Sequence, residues 1–202
     1  MKRTLLTLIL IFTPILACAQ GWSTLAPKVL DSVVRLEAGN FTCTGFIIDE
    51  KRKYILTAAH CIPDKDTDVY VNGEKAAVVN MRRDDDVAVL LVANVDGPAL
   101  VPAKTNAAVG DDVAMIGFGY AVKEPLFRTA IVSHDSLSLP GLDGKYIVLD
   151  AAVIPGQSGG PFVNAKGEVI GVVQRSNEVL SLGLPIQDIY KATRRYWSVS
   201  QP

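Results

Sequence analysis

Pro155-Gly156-Gln157-Ser158-Gly159-Gly160-Pro161 sets the reading of the whole chain. A run with a proline at each end and glycines around one serine cannot continue a helix and makes a poor central strand. It reads as a tight turn with a single hydroxyl at its apex, its glycines free to take positive φ and to let another segment come close. Two readings fit it: a Gly-Ser surface loop, or a nucleophilic serine whose neighbouring amides receive an oxyanion. The rest of the chain decides between them.

A serine needs a base to attack at neutral pH, and histidine is the usual one. The chain has 2 histidines. His134, in Ser133-His134-Asp135, sits in a polar, surface-like context. His60, in Leu56-Thr57-Ala58-Ala59-His60-Cys61, follows a strand end on a shelf of small residues, which suits a fixed ring. The base in turn needs a carboxylate to hold its tautomer. In Asp84-Asp85-Asp86-Val87-Ala88-Val89-Leu90, Asp86 abuts an apolar run and is the aspartate best placed for partial burial; Asp150, shortly before the serine turn, competes with it. Gly-x-Ser-x-Gly also marks α/β-hydrolases, whose order is serine, acid, histidine. No histidine follows Ser158, so the available order is His60, Asp86, Ser158, as in chymotrypsin-like enzymes.

Composition bounds the remainder. The 202 residues are 49% hydrophobic and 20% charged, enough for a substantial core, and the net charge of -1 points to neither a nucleic-acid nor an acidic-substrate partner. The one long uncharged apolar run is N-terminal: Lys2 and Arg3, then Leu5 to Leu16, then Ala17-Cys18-Ala19. This is an export signal, too short for a comfortable membrane span. Cleavage after Ala19 gives a signal peptide over 1–19; alternatively Ile15-Leu16-Ala17-Cys18 is an imperfect lipobox, with a leader over 1–17 and a lipid on Cys18 as the sole membrane attachment. Either way Cys43 and Cys61 remain, as a disulfide, which an exported protein can keep, or as two buried thiols. A disulfide closing that loop would contribute about 3 kcal/mol.

Residues 20–27 read as a tether, and the body runs over 28–198. Short β-type runs follow in two series. The first comprises Val29 to Leu36, Cys43 to Ile48, Tyr54 to Thr57, Asp68 to Val71, Lys75 to Asn80 and Val87 to Val92. A Gly- and Pro-bearing connection over 93–108 leads to the second: Val113 to Ile116, Phe127 to Ser133, Tyr146 to Leu149, Pro161 to Val163, Val169 to Val173 and Val179 to Pro185. A helical period appears only at the end, where Ile186, Ile189, Tyr190, Thr193 and Trp197 share a face. The pattern is all-β, a barrel or sandwich.

Thr57-Ala58-Ala59-His60-Cys61, Asp86-Val87-Ala88-Val89-Leu90 and Gly156-Gln157-Ser158-Gly159-Gly160-Pro161 resemble the three signature blocks of trypsin-like serine proteases. Val109-Gly110-Asp111-Asp112-Val113, Leu149-Asp150-Ala151-Ala152-Val153 and Gly167-Glu168-Val169-Ile170-Gly171 are similar to the bacterial heat-shock (Deg/HtrA-type) branch. The resemblance implies two six-stranded antiparallel β-barrels, about 28–100 and 106–198, with a C-terminal helix and the active site between them. It implies His60 as general base, Asp86 as orienting acid, Ser158 as nucleophile, the amides of Gly156 and Ser158 as oxyanion hole, and a Cys43–Cys61 disulfide. It also implies a pocket for the substrate residue before the cleaved bond (P1), lined by Ala152, Val153 and Gly183 and edged by Gln174, Arg175 and Ser176.

What the resemblance predicts is an exported serine endopeptidase, periplasmic or extracellular, acting on proteins or peptides through an acyl-enzyme. Neither cofactor nor metal is expected. The rival is a protease-fold binding protein with little catalysis. Gln157 stands where digestive proteases carry an aspartate that pairs with a newly cut N-terminus, so no such activation is expected. Nor is regulation through a peptide-binding (PDZ) domain. With no carboxylate among the pocket residues, a small or medium apolar P1 side chain fits best, and Arg175 either attracts acidic groups or faces solvent.

Overall fold

The computed structural model describes residues 21–64, 66–120, 122–176 and 179–198. The leader with Cys18, together with Gln20, lies outside these residues. The described chain is organised as two closed antiparallel barrels of six strands each. The first contains β1 (Val33–Ala38), β2 (Phe41–Asp49), β3 (Tyr54–Thr57), β4 (Val69–Val71), β5 (Glu74–Arg82) and β6 (Val87–Val92), paired around the ring as β1-β2-β3-β6-β5-β4. The second contains β7 (Asp112–Gly117), β8 (Leu126–Leu137), β9 (Tyr146–Leu149), β10 (Pro161–Asn164), β11 (Val169–Ser176) and β12 (Ser181–Pro185). Its pairings are those of the first barrel with each strand number raised by six. Closure removes sheet edges that would otherwise pair with other chains.

Burial explains which strands read clearly in the sequence. Val34, Leu36, Ile47, Ile55, Leu90 and Val92 fill the first barrel, while Val33, Phe46, Ile48, Leu56, Val87 and Val89, on the opposite faces of the same strands, join the core of the second. Strands β2, β3 and β6 are thus covered on both faces, so they appear as continuous apolar runs instead of alternating ones. The connection between the barrels is pinned at both ends. Leu100 N–H donates to Ile47 O at 2.9 Å on one side, and Ala103 N–H donates to Val169 O at 2.8 Å on the other.

The segment expected as a tether is for the most part a helix, α1 (Trp22–Leu30). The first strand accordingly begins at Val33 and not at Val29. Leu25 and Val29, four apart and therefore on one face, are buried, and the Trp22 ring packs at 5.7 Å from that of Phe127 in β8. At the other end α2 (Ile186–Thr193) runs into a single 3₁₀ turn over Arg194–Tyr196. That terminus crosses to the first barrel. Tyr196 meets Tyr54 edge-on, Trp197 packs on Phe46, and Ser198 N–H donates to Ile48 O at 3.0 Å.

Candidate active site

His60 lies in a 3₁₀ turn, Ala59–Cys61, just past β3, and Asp86 in the turn that leads into β6. β3 and β6 are neighbours, so their ends bring the two residues together. The contact is two-pointed: His60 N–H donates to Asp86 Oδ1 at 2.8 Å, and His60 Nδ1 lies 2.8 Å from Asp86 Oδ2. A carboxylate oxygen accepts, so Nδ1 carries the proton and Nε2 keeps its lone pair. Asp86 takes a left-handed φ of 45°, which aspartate tolerates better than most residues. Its turn is tied to that of the histidine by Arg83, whose guanidinium donates to Ala59 O at 3.0 Å and Pro63 O at 3.1 Å. Asp150 is engaged elsewhere, accepting from Ile131 N–H at 2.6 Å. His134 is exposed on β8.

The Cys43–Cys61 disulfide joins β2 to the residue after the histidine. The same staple sits against the serine turn: Cys61 Sγ lies 3.6 Å from Ser158 O, and Thr44 N–H donates to that oxygen at 2.9 Å. Cys61, the neighbour of His60, and Ser158 thereby meet across the seam between the barrels. Gly159 makes the approach possible, since a Cβ there would strike the Thr44 carbonyl and the Thr57 hydroxyl. Gly156 has φ 103°, a conformation open to glycine and costly for other residues. Among the described residues the N–H groups of Gly156 and Ser158 make no hydrogen bond.

Gln157, fully buried, folds back so that its Oε1 accepts from Ile154 N–H at 2.9 Å. A neutral amide ties down the loop from within the same turn.

The residues expected around a P1 pocket divide. Ala152 and Val153 lie half-buried on the segment before the serine turn, with Ala152 O accepting from Arg128 at 2.5 Å. Arg175 is exposed, and Ser176 closes β11. Gly183 instead faces the barrel interior, where a Cβ would run into the Phe162 ring. Gln174 occupies the bulge of β11, is buried, and its Nε2 donates to Asp86 O at 3.1 Å; with Arg175 it lines a pocket beside Asp86. Sequence reasoning missed Gln174 and Arg83 as partners of the acid and base segments, because such ties across barrels and turns carry no spacing signal. Among the described residues no group of three or more His, Cys, Asp or Glu is arranged to hold a metal. Nor is any helix long and apolar enough to cross a membrane.

Two closed barrels of equal topology, with a His60–Asp86 contact in one and a glycine-flanked serine turn in the other, define a class of fold, and the chain belongs to the trypsin-like peptidase domain family, which matches residues 43–172. Among curated proteins it is similar to a probable periplasmic serine endoprotease, DegP-like, of Hahella chejuensis, 36% identical over 140 residues covering 65% of this chain and 29% of the relative. It is likewise similar to the serine protease Rv3671c of Mycobacterium tuberculosis, 32% identical over 144 residues covering 64% of this chain and 35% of that protein. The chain thus spans about a third of the length of these relatives. Of solved structures, the active form of the Rv3671c protease matches with TM-score 0.73 and 25% identity, over 88% of this chain and 85% of that one. The inactive form matches with TM-score 0.73 and 26% identity, over 85% and 91%.

Proposed function

We propose that the protein is an exported serine endopeptidase that cleaves peptide bonds through an acyl-enzyme formed on Ser158. The observation that carries this reading is the two-point His60–Asp86 contact, in which the carboxylate accepts the Nδ1 proton and leaves Nε2 available as a base. Ser158 Oγ attacks the scissile carbonyl carbon while its proton passes to His60 Nε2. The Asp86 carboxylate steadies the imidazolium that results. Negative charge gathers on the former carbonyl oxygen, for which the uncommitted amides of Gly156 and Ser158 are the donors. Collapse breaks the C–N bond as His60 returns the proton to the leaving amine. Water then repeats the sequence on the ester and frees Ser158.

Ala152 and Val153 contribute walls without charge to the P1 site, which favours a small or medium apolar side chain. The leader over 1–19 directs export to the periplasm or beyond; a lipid on Cys18 is the alternative end state, and failure to incorporate radiolabelled palmitate removes it. The central test is a fluorophosphonate probe. Wild type is expected to be labelled and Ser158→Ala not. Absence of labelling in both would leave a protease-fold binding protein in place of an enzyme.

A further inference from the structure

Resting on the reading of Gly156 and Ser158 as oxyanion donors, we infer that Thr44, on the other barrel, is the positioning residue that holds them in register. In a trans peptide the C=O and the following N–H point in opposite directions. Three successive peptide planes therefore decide where the amides of Gly156, Gln157 and Ser158 point, and each plane is anchored by its carbonyl. Pro155 O accepts from Tyr120 N–H at 2.8 Å, and Gln157 O from Gly160 N–H at 3.0 Å. Each anchor points its amide, that of Gly156 or of Ser158, away from the donor that holds its carbonyl. The plane between them carries Gln157 N–H, which donates to Ile154 O at 3.0 Å. Its carbonyl, Gly156 O, accepts from the hydroxyl of Thr44 at 2.7 Å.

Only this middle anchor is a side chain. The hydroxyl has one proton, and its oxygen is already the acceptor for Phe118 N–H at 2.9 Å, so the proton is committed to Gly156 O. Thr44 is fully buried, and its own amide donates to Ser158 O at 2.9 Å. One residue of the first barrel thus grips the serine turn at two carbonyls, on either side of Gln157. Removing the hydroxyl leaves Phe118 N–H buried and unpaired, takes the partner from Gly156 O, and leaves the central plane held only at its Gln157 N–H end. The plane can then shift about that remaining bond, and the Gly156 Cα that it shares with the first plane carries the Gly156 amide off the position of the developing charge. Thr44 touches no reacting atom and acts through Gly156.

The test is the rate of fluorophosphonate labelling as a function of probe concentration, which separates the maximal rate from the half-saturating concentration. Thr44→Val is nearly isosteric and lacks the hydroxyl. Its maximal rate is expected to fall about ten- to a hundred-fold, less than the roughly 10²–10³-fold cost of deleting an oxyanion donor outright, with the half-saturating concentration little changed. Thr44→Ser restores the hydroxyl and is expected within about three-fold of wild type, against the cost just given for the donor. A purely structural role would lower the melting temperature of Thr44→Val and leave its maximal rate at the wild-type value, which overturns the inference. A folded Thr44→Ser protein as slow as Thr44→Val overturns it also, and Thr44→Ala substitutes if the valine variant does not fold. If wild type itself is not labelled, the reading of Ser158 fails first and this one with it; if wild type is labelled normally, only the outcomes above bear on Thr44.

Discussion

Asp86 supplies both a charge and a backbone kink, and the two separate by substitution. Asparagine also tolerates the left-handed φ that Asp86 adopts, but it offers the Nδ1 proton a weaker acceptor and permits the wrong tautomer. Asp86→Asn is therefore expected to keep its fold by circular dichroism while its turnover falls about 10⁴-fold; a fall of under tenfold would remove Asp86 from the role proposed for it. Gln157 gives a second prediction. Because its Oε1 is satisfied by Ile154 N–H inside the turn, activity does not call on a free α-amino group. Selective acetylation of that group should leave the labelling rate within about twofold of the untreated protein, since the tie it would replace is a single neutral hydrogen bond. At this scale the contact of His60 with Asp86 was legible, since the two stood out through residue type and chain order. Thr44 and Gln174 did not, since each sits in what reads as ordinary strand, and their meaning lies in hydrogen bonds to residues 112 and 88 positions away.

Among the elements, α1 departed most from the sequence reading. Nine residues with a proline inside and no side-chain cap at Gly21 give little local sign of a helix. What stabilises it is burial of Leu25 and Val29, which sequence periodicity over two turns cannot reveal. Leu25→Ala is expected to cost about 2–5 kcal/mol, read by denaturant unfolding; a change near zero would mean that α1 is not docked in solution. The β2–β3 turn carries the next prediction. Burial alone would raise the Asp49 carboxyl above its ordinary range, but the Arg52 guanidinium at 2.7 Å, with the backbone amides of Arg52 and Lys51, holds it below. The folded form binds the proton less readily than the unfolded one, so this contribution is complete above the ordinary carboxylate pKa of about 3.9 and is lost as pH falls through the lower folded value. Melting temperature should thus drop more steeply below about pH 4 in wild type than in Asp49→Asn. Parallel curves for the two proteins would refute the assignment. Arg52 also donates to Arg195 O and Trp197 O, both at 3.0 Å, so acid loosens the C-terminal attachment along with the turn.

For the molecule as a whole, the two-series rhythm of short strands foretold two β units, and their closure into barrels followed from the family resemblance. Invisible in the sequence was the exchange of ends: α1 lies on the second barrel through Phe127 and continues into the first, whereas the segment after α2 leaves the second barrel and lies on the first through Tyr54 and Phe46. Shared core residues from both barrels continue the same coupling. Calorimetry should accordingly record one unfolding transition, and two resolved transitions would count against it. The exchange has a mechanical consequence. A stretching load taken up at α1 and at Trp197 is borne first by side-chain packing between the barrels, not by the ladders within them. The seam yields before either sheet opens, so tension would part the serine turn from Thr44 and Cys61 while most of the molecule stayed folded.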